Sequence, residues 1–131
     1  MEIDDDFKID DVPEQERLAF YGALFAMSAV DDHVDRDELF AIFEMLEIDD
    51  LSPEAQEEIR GYAVNPPSYR ECVDKLEGTD EALRRAAVVN LVEVAEADEV
   101  VEPEEEDALA YAVDVLGVTT ARADEIVPAC D

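Results

Sequence analysis

Two stretches decide the fold: residues 18–43, LAFYGALFAMSAVDDHVDRDELFAIF, and residues 85–110, RAAVVNLVEVAEADEVVEPEEEDALA. Laying Asp31 on Asp98, a shift of 67, brings them into register. Asp32 then meets Glu99, Val34 meets Val101, Asp35 meets Glu102, Asp37 meets Glu104 and Glu38 meets Glu105. Upstream, Ala19 to Val30 falls on Ala86 to Ala97, with Leu24 on Leu91; downstream, Ile42 meets Leu109 and Leu46 meets Val113. Each half reads as an apolar helix, an acidic loop holding one buried valine, and an amphipathic helix. Neither unit alone can cover its apolar helix, so the two buried helices are expected to pack together about a pseudo-twofold axis in one domain.

Working outward, residues 1–12 form an acidic arm and residues 13–131 one helical domain. Pro13 opens the first helix, a position where a missing N–H costs nothing, and that helix runs to about Val30. Asp35 caps the next helix with Glu38 three residues on, the spacing of a capping box. Its apolar stripe is Leu39, Ile42, Phe43 and Leu46. Ser52-Pro53-Glu54 starts a short helix with Ile59 and Tyr62, and Asn65-Pro66-Pro67 breaks the chain. A second short helix with Tyr69, Val73 and Leu76 ends at Gly78. Thr79-Asp80-Glu81 then caps a long helix to about Ala97. The segment after Glu102-Pro103 carries Leu109, Ala112, Val113 and Leu116 and stops at Gly117. Thr119 starts a last short helix with Ile126. The fold class is all-α, with about seven helices in two pseudo-symmetric helix–acidic loop–helix units.

Size and composition agree. The chain has 131 residues, 48% of them hydrophobic, with 4 glycines and 6 prolines. That is enough to bury a core without disulfide or metal staples. Acids number 38 and bases 9, a formal net charge of −29. Such a surface repels phosphate backbones and anionic membranes, which excludes a basic nucleic-acid groove and favours cations or basic partners. Only Lys8 and Lys75 are lysines, and abundant acid with scarce lysine suits a high-salt cytoplasm, where screening tolerates self-repulsion. The N-terminus lacks a signal-peptide pattern. The uncharged run Leu18–Val30 is shorter than the ~20 residues a bilayer span needs. A cytoplasmic location is expected.

Each acidic loop sets carboxylates at relative positions 0, +1, +4, +6 and +7. The candidate metal ligands are Asp31, Asp32, Asp35 and Glu38 in the first loop, and Asp98, Glu99, Glu102 and Glu105 in the second. Clustered carboxylates repel one another and suit a hard, oxygen-seeking cation, calcium or magnesium. The same acids also cap free amides and complement the positive end of a helix dipole. The loops are not EF-hands, since Arg36 and Pro103 stand where glycine is required and Ile42 and Leu109 where glutamate is. His33, the only histidine, reads as a solvated loop residue, and Glu106 and Asp107 as a solvated face. Cys72 and Cys130 match no metal or redox spacing. The tyrosines Tyr21, Tyr62, Tyr69 and Tyr111 sit at core spacing. No nucleophile has an evident base partner, so an enzyme is not expected.

The segments AVDDHVDRDELFAIFEML and EADEVVEPEEEDALAYAVDVLG resemble the paired motif of the TerB-like tellurite-resistance family, over roughly residues 15–128. The resemblance implies a seven-helix, pseudo-symmetric fold of stress-response proteins. A related domain begins certain membrane-associated co-chaperones of the DnaJ type. It further implies divalent-metal binding by the motif aspartates, here Asp31 and Asp98, and the motif glutamates, here Glu38 and Glu105, with Asp35 and Glu102 at the capping position. The family glycine is replaced by Asp32 and Glu99. Aspartate accepts a positive φ better than glutamate does, so the second loop is expected to differ in shape. The chain carries neither a J-domain nor a membrane anchor, so a complete co-chaperone is not expected. The expected function is binding, of a divalent cation and a protein partner. The alternative is a metal-free protein-interaction module whose acids cap helices and adapt the surface to salt. An acidic mimic of nucleic acid is disfavoured because the acids are spread along the whole chain.

Overall fold

The computed structural model describes residues 12–29, 42–44, 46, 48–96, 103–118, 120 and 123. Among these, α1 spans Glu14–Met27, α2 Pro53–Gly61, α3 Tyr69–Leu76, α4 Glu81–Ala95 and α5 Pro103–Leu116. Residues 42–44 and Ala123 are also helical, and no described residue lies in a strand. Each of the seven expected helical stretches thus contains described helical residues, and the fold is all-α.

The helices begin and end for local reasons. Ser52 Oγ accepts from the Ala55 amide at 3.2 Å and Ser68 Oγ from the Glu71 amide at 3.3 Å, so each serine satisfies an otherwise orphan donor. Asp80 stands at the cap of α4 but makes no side-chain cap hydrogen bond, so the side-chain capping expected there is not made. Pro13 is the cap of α1 and not its first helical residue; its carbonyl accepts from the Glu16 and Arg17 amides. Near the C-terminus the described cap is Thr120, whose Oγ1 accepts from the Ala123 amide at 3.1 Å. Gly78 and Gly117 follow α3 and α5 with φ of 92° and 69°, the left-handed region that lets a helix stop without a Cβ clash.

The repeat survives in three dimensions. Shifting α1 by 67 residues gives 81–94, the span of α4 to within one residue. Both helices are buried nearly all round: Phe20, Tyr21, Leu24, Phe25 and Met27 on one, Ala87, Val88, Leu91, Val92 and Val94 on the other. They pack on each other, and Ile42 and Leu109, paired by the repeat, are both wholly buried. Phe43 departs from the expected stripe. It is 45% exposed and rests its ring edge on Phe25, 5.7 Å between centroids.

The segment between the repeats is part of the core. α3 packs on α1 and on α5, and α2 packs on α1. A Cβ at Gly22 of α1 would stand 2.7 Å from Cys72 Sγ and 3.0 Å from Pro67 Cγ, so glycine sets how closely α3 approaches. On its other side, Tyr69 Oη donates to the Ala108 carbonyl at 2.6 Å and Tyr111 Oη to the Asp74 carboxylate at 2.6 Å. Arg70 lies over the Tyr111 ring, 4.6 Å from its centroid. The buried apolar side chains of all these elements form one cluster.

Candidate functional site

By sequence, each acidic loop follows a buried helix and precedes an amphipathic segment. The α1 winding continues through Ser28 and Ala29, whose amides donate to the Leu24 and Ala26 carbonyls, and Ser28 Oγ donates to the Phe25 carbonyl at 2.6 Å. At the end of α4 the Glu96 amide donates to the Val92 carbonyl. Neither α1 nor α4 has a basic residue in its last turn. The negative ends of both dipoles therefore run, by sequence, into Asp31-Asp32 and Asp98-Glu99, an unfavourable arrangement that a cation would offset. The opposite polarity holds at α5, where Glu104, Glu105 and Glu106 sit in the first turn and complement its positive end.

Of the eight candidate ligands, Asp31, Asp32, Asp35, Glu38, Asp98, Glu99 and Glu102 lie outside the described residues, as do His33 and the loop valines. Glu105 is described, and it is 1% exposed. No buried side-chain nitrogen or oxygen among the described residues lacks a hydrogen-bond partner, and Glu105 is not free. A carboxylate so placed is not a solvated cap. It faces inward from the first turn of α5, while Asp107 is exposed and Glu106 partly so. Among the described residues alone, no group of three or more His, Cys, Asp or Glu side chains is gathered as a metal ion requires. The ligand set, if assembled, draws on the loops, and its donors are all carboxylate oxygens, which fit calcium or magnesium and not a thiophilic metal.

At the opposite end of each unit stands an arginine that the sequence reading passed over. Arg17 Nε donates to the Val12 carbonyl at 3.2 Å, and its terminal nitrogens grip the Asp50 carboxylate in a fork, one bond at 2.8 Å. Arg84 Nε donates to the Thr79 carbonyl at 3.0 Å and Nη1 to the Leu116 carbonyl at 2.7 Å. These residues are equivalent under the 67-residue shift: Arg17 and Arg84, Val12 and Thr79, Asp50 and Gly117. Asp50 supplies an acceptor where glycine has no side chain, and Arg84 turns to the last carbonyl of α5 instead. Arg17 is 2% exposed, so its charge is held by these partners. The Arg17 guanidinium beside Asp50 holds that carboxyl below the usual value of 3.8. Two arginines at one spacing from the loop motif were the available signal, and comparing the repeat further upstream exposes them.

No catalytic set accompanies these features among the described residues. A cleft of about 600 Å³ opens beside the start of α1, lined by Glu16, Glu58, Tyr62, Glu71, Cys72 and Lys75 among others. Burial pushes the Cys72 thiol up to about 11, which keeps it protonated at neutral pH and poorly nucleophilic. Burial and the hydrogen bond to Glu58 push Tyr62 up likewise. Cys72 is a free, buried packing residue against Gly22, and Cys130 lies outside the described residues. No helix is long and apolar enough to cross a membrane among the described residues.

Comparison with known proteins agrees with the geometry. Residues 17–127 match the family model of the tellurite resistance protein TerB. No curated protein and no solved structure matches the chain.

Proposed function

Because the chain belongs to the family of the tellurite resistance protein TerB, we propose that it is a non-enzymatic stress-response protein of the cytoplasm. It binds a divalent cation, calcium or magnesium, through Asp31, Asp32, Asp35, Glu38, Asp98, Glu99, Glu102 and Glu105, and acts on a protein partner. The observation that carries this reading is the placement of Glu105. It is buried at the first turn of α5, one residue beyond the span where its loop's other acids cluster by sequence. Buried carboxylates are stable when paired with a cation or fully hydrogen-bonded. The adjoining helix end of α4 carries no base in its last turn to balance the loop acids. A bound cation relieves both the mutual repulsion of the carboxylates and their conflict with the helix dipole.

Calorimetric titration of calcium, then magnesium, into chelator-treated protein in high potassium chloride tests this. The variant with Asp31→Ala and Asp98→Ala is titrated beside it. Saturable binding at one or two sites, abolished in the variant, is the expected result. No binding, or binding the variant retains, sinks the cation reading.

That second outcome favours a metal-free interaction module. Its support is a pair of large apolar side chains left exposed, Phe43 and Val64, the latter 89% accessible. Alanine at Asp31 and Asp98 then costs the same stability with and without added metal.

A further inference from the structure

α2 and α3 both pack on α1, and the cleft of about 600 Å³ beside them is lined by residues of all three helices and of the turn between α2 and α3. Its size falls in the ~300–1,000 Å³ range of clefts that hold ligands. The floor is apolar. Leu18 and Ala19 of α1, Pro67 of the turn, Cys72 of α3 and the Tyr62 ring at the end of α2 line it, all buried or partly buried. Gly22 holds this floor together, because a Cβ there would meet Cys72 Sγ, Pro67 Cγ and, at 3.5 Å, Tyr62 Cε2. Tyr62 is fixed further: its Oη donates to the Glu58 carboxylate at 2.7 Å, and its ring centroid lies 6.3 Å from that of Phe25. The surface is therefore formed before any ligand arrives, which lowers the cost of binding. The rim is acidic. Glu16, Glu58 and Glu71, one from each helix, stand around the floor, and Lys75 is the one base among the lining residues. Among the described residues none of these four forms an ion pair, although Glu71 and Lys75 are four apart on α3.

We propose that this cleft docks an arginine carried on a basic segment of a protein partner, its aliphatic stem on the floor and its guanidinium among the carboxylates of Glu16, Glu58 and Glu71. The inference names a surface and a chemistry for the protein partner in the reading above, and rests on that part of it and not on the cation. Charge complementarity selects the occupant. Arginine has the two parts the cleft matches, an apolar stem and a charged head. Its planar head takes carboxylates through paired bonds, stacks on aromatic rings and sheds water more readily than an ammonium does. A phosphate-bearing or acidic ligand is repelled by the rim. A second copy of this chain is a poor occupant, since it brings the same net charge of −29 to the contact. Acidity alone would draw bases to any part of the molecule; the apolar floor fixed around Gly22 is what distinguishes this place.

The test is a fluorescence-anisotropy titration of the full chain against a labelled glycine-serine peptide carrying several arginines, at about 0.15 M salt. Two further peptides replace the arginines with lysine, or with a residue that bears the guanidinium on a shortened stem. The first protein variant combines Glu58→Gln with Glu71→Gln. The control combines Glu57→Gln with Glu77→Gln, which removes the same charge from exposed positions on α2 and at the end of α3, outside the cleft. Glu58→Gln keeps an acceptor for the Tyr62 hydroxyl, and circular dichroism checks that each variant is folded. The expected result is saturable binding of the arginine peptide, weakened roughly tenfold or more in Glu58→Gln with Glu71→Gln and little in the control. The lysine and short-stem peptides should bind more weakly than the arginine peptide. Equal losses in the two variants overturn the proposal, since diffuse attraction to the acidic surface then accounts for binding. Lysine or short-stem peptides that bind as tightly overturn it too, because the floor and the guanidinium are then not read. No binding of the arginine peptide also overturns it and leaves the cation reading standing, which calcium titration reads separately. A protein that binds the peptide but no calcium keeps this docking site and loses the cation sites.

Discussion

Gly22 shows how much one side-chain atom controls. Its missing Cβ leaves room for Cys72 Sγ and Pro67 Cγ at distances that no methyl group can share. Overpacking a fitted core costs about 1–3 kcal/mol, and alanine regains up to about 1 kcal/mol in helix propensity. Gly22→Ala should therefore destabilise the protein by roughly 1–2 kcal/mol, read as a lower urea midpoint. Adding Cys72→Ala should restore part of it, because the shorter side chain removes the closer of the two clashes. None of this was legible in the sequence. A glycine amid apolar residues reads as a weak point in a helix, and the residues that need it, Pro67 and Cys72, lie far away along the chain. The same applies to Glu105. Spacing places it in the first turn of a helix, where a solvated cap is the ordinary reading, and only the packing of α5 shows that it points inward.

At the scale of helices and hairpins the sequence was far more informative. The apolar residues of α1 and α4 recur through every turn, the serine and proline pairs mark the starts, and the match of Ile42 to Leu109 identifies two core residues at once. The bonds of Arg17 and Arg84 were missed because arginine near a helix start looks like surface charge, and its partner is chosen by tertiary geometry. They make a prediction of their own. The Asp50 carboxyl titrates below its ordinary 3.8 because Arg17 stabilises its charged form. A group whose folded value is depressed stabilises the fold above its unfolded value, and that contribution disappears as pH falls through the folded one. The melting temperature of wild type should exceed that of Asp50→Asn at neutral pH, and the gap should close as pH drops below 3.8. A gap independent of pH would mean that Asp50 contributes by shape and not by charge. No counterpart effect is expected in the second unit, where Arg84 bonds the Leu116 and Thr79 carbonyls, which do not titrate.

For the whole molecule the dominant quantity is the net charge of −29 on 131 residues. Repulsion at that density opposes compaction, and its range shrinks from about 10 Å at 0.1 M salt to about 3 Å at 1 M. The melting temperature should rise substantially from dilute buffer to molar potassium chloride; a melt indifferent to salt would show that the acids are not an adaptation to it.

The segment between the repeats has a different consequence at this scale. A duplicated pair of hairpins joined by a slack tether could trade halves between neighbouring chains, each hairpin finding its mate in another copy. Here the connection is packed against the core along one face, with Val73 and Leu76 of α3 wholly buried and Tyr69 bonded across to the Ala108 carbonyl. Trading halves would require stripping that helix out of two hydrophobic contacts at once and exposing it to water before any new contact formed. The connector thus imposes a kinetic barrier that commits each hairpin to the partner it was synthesised with.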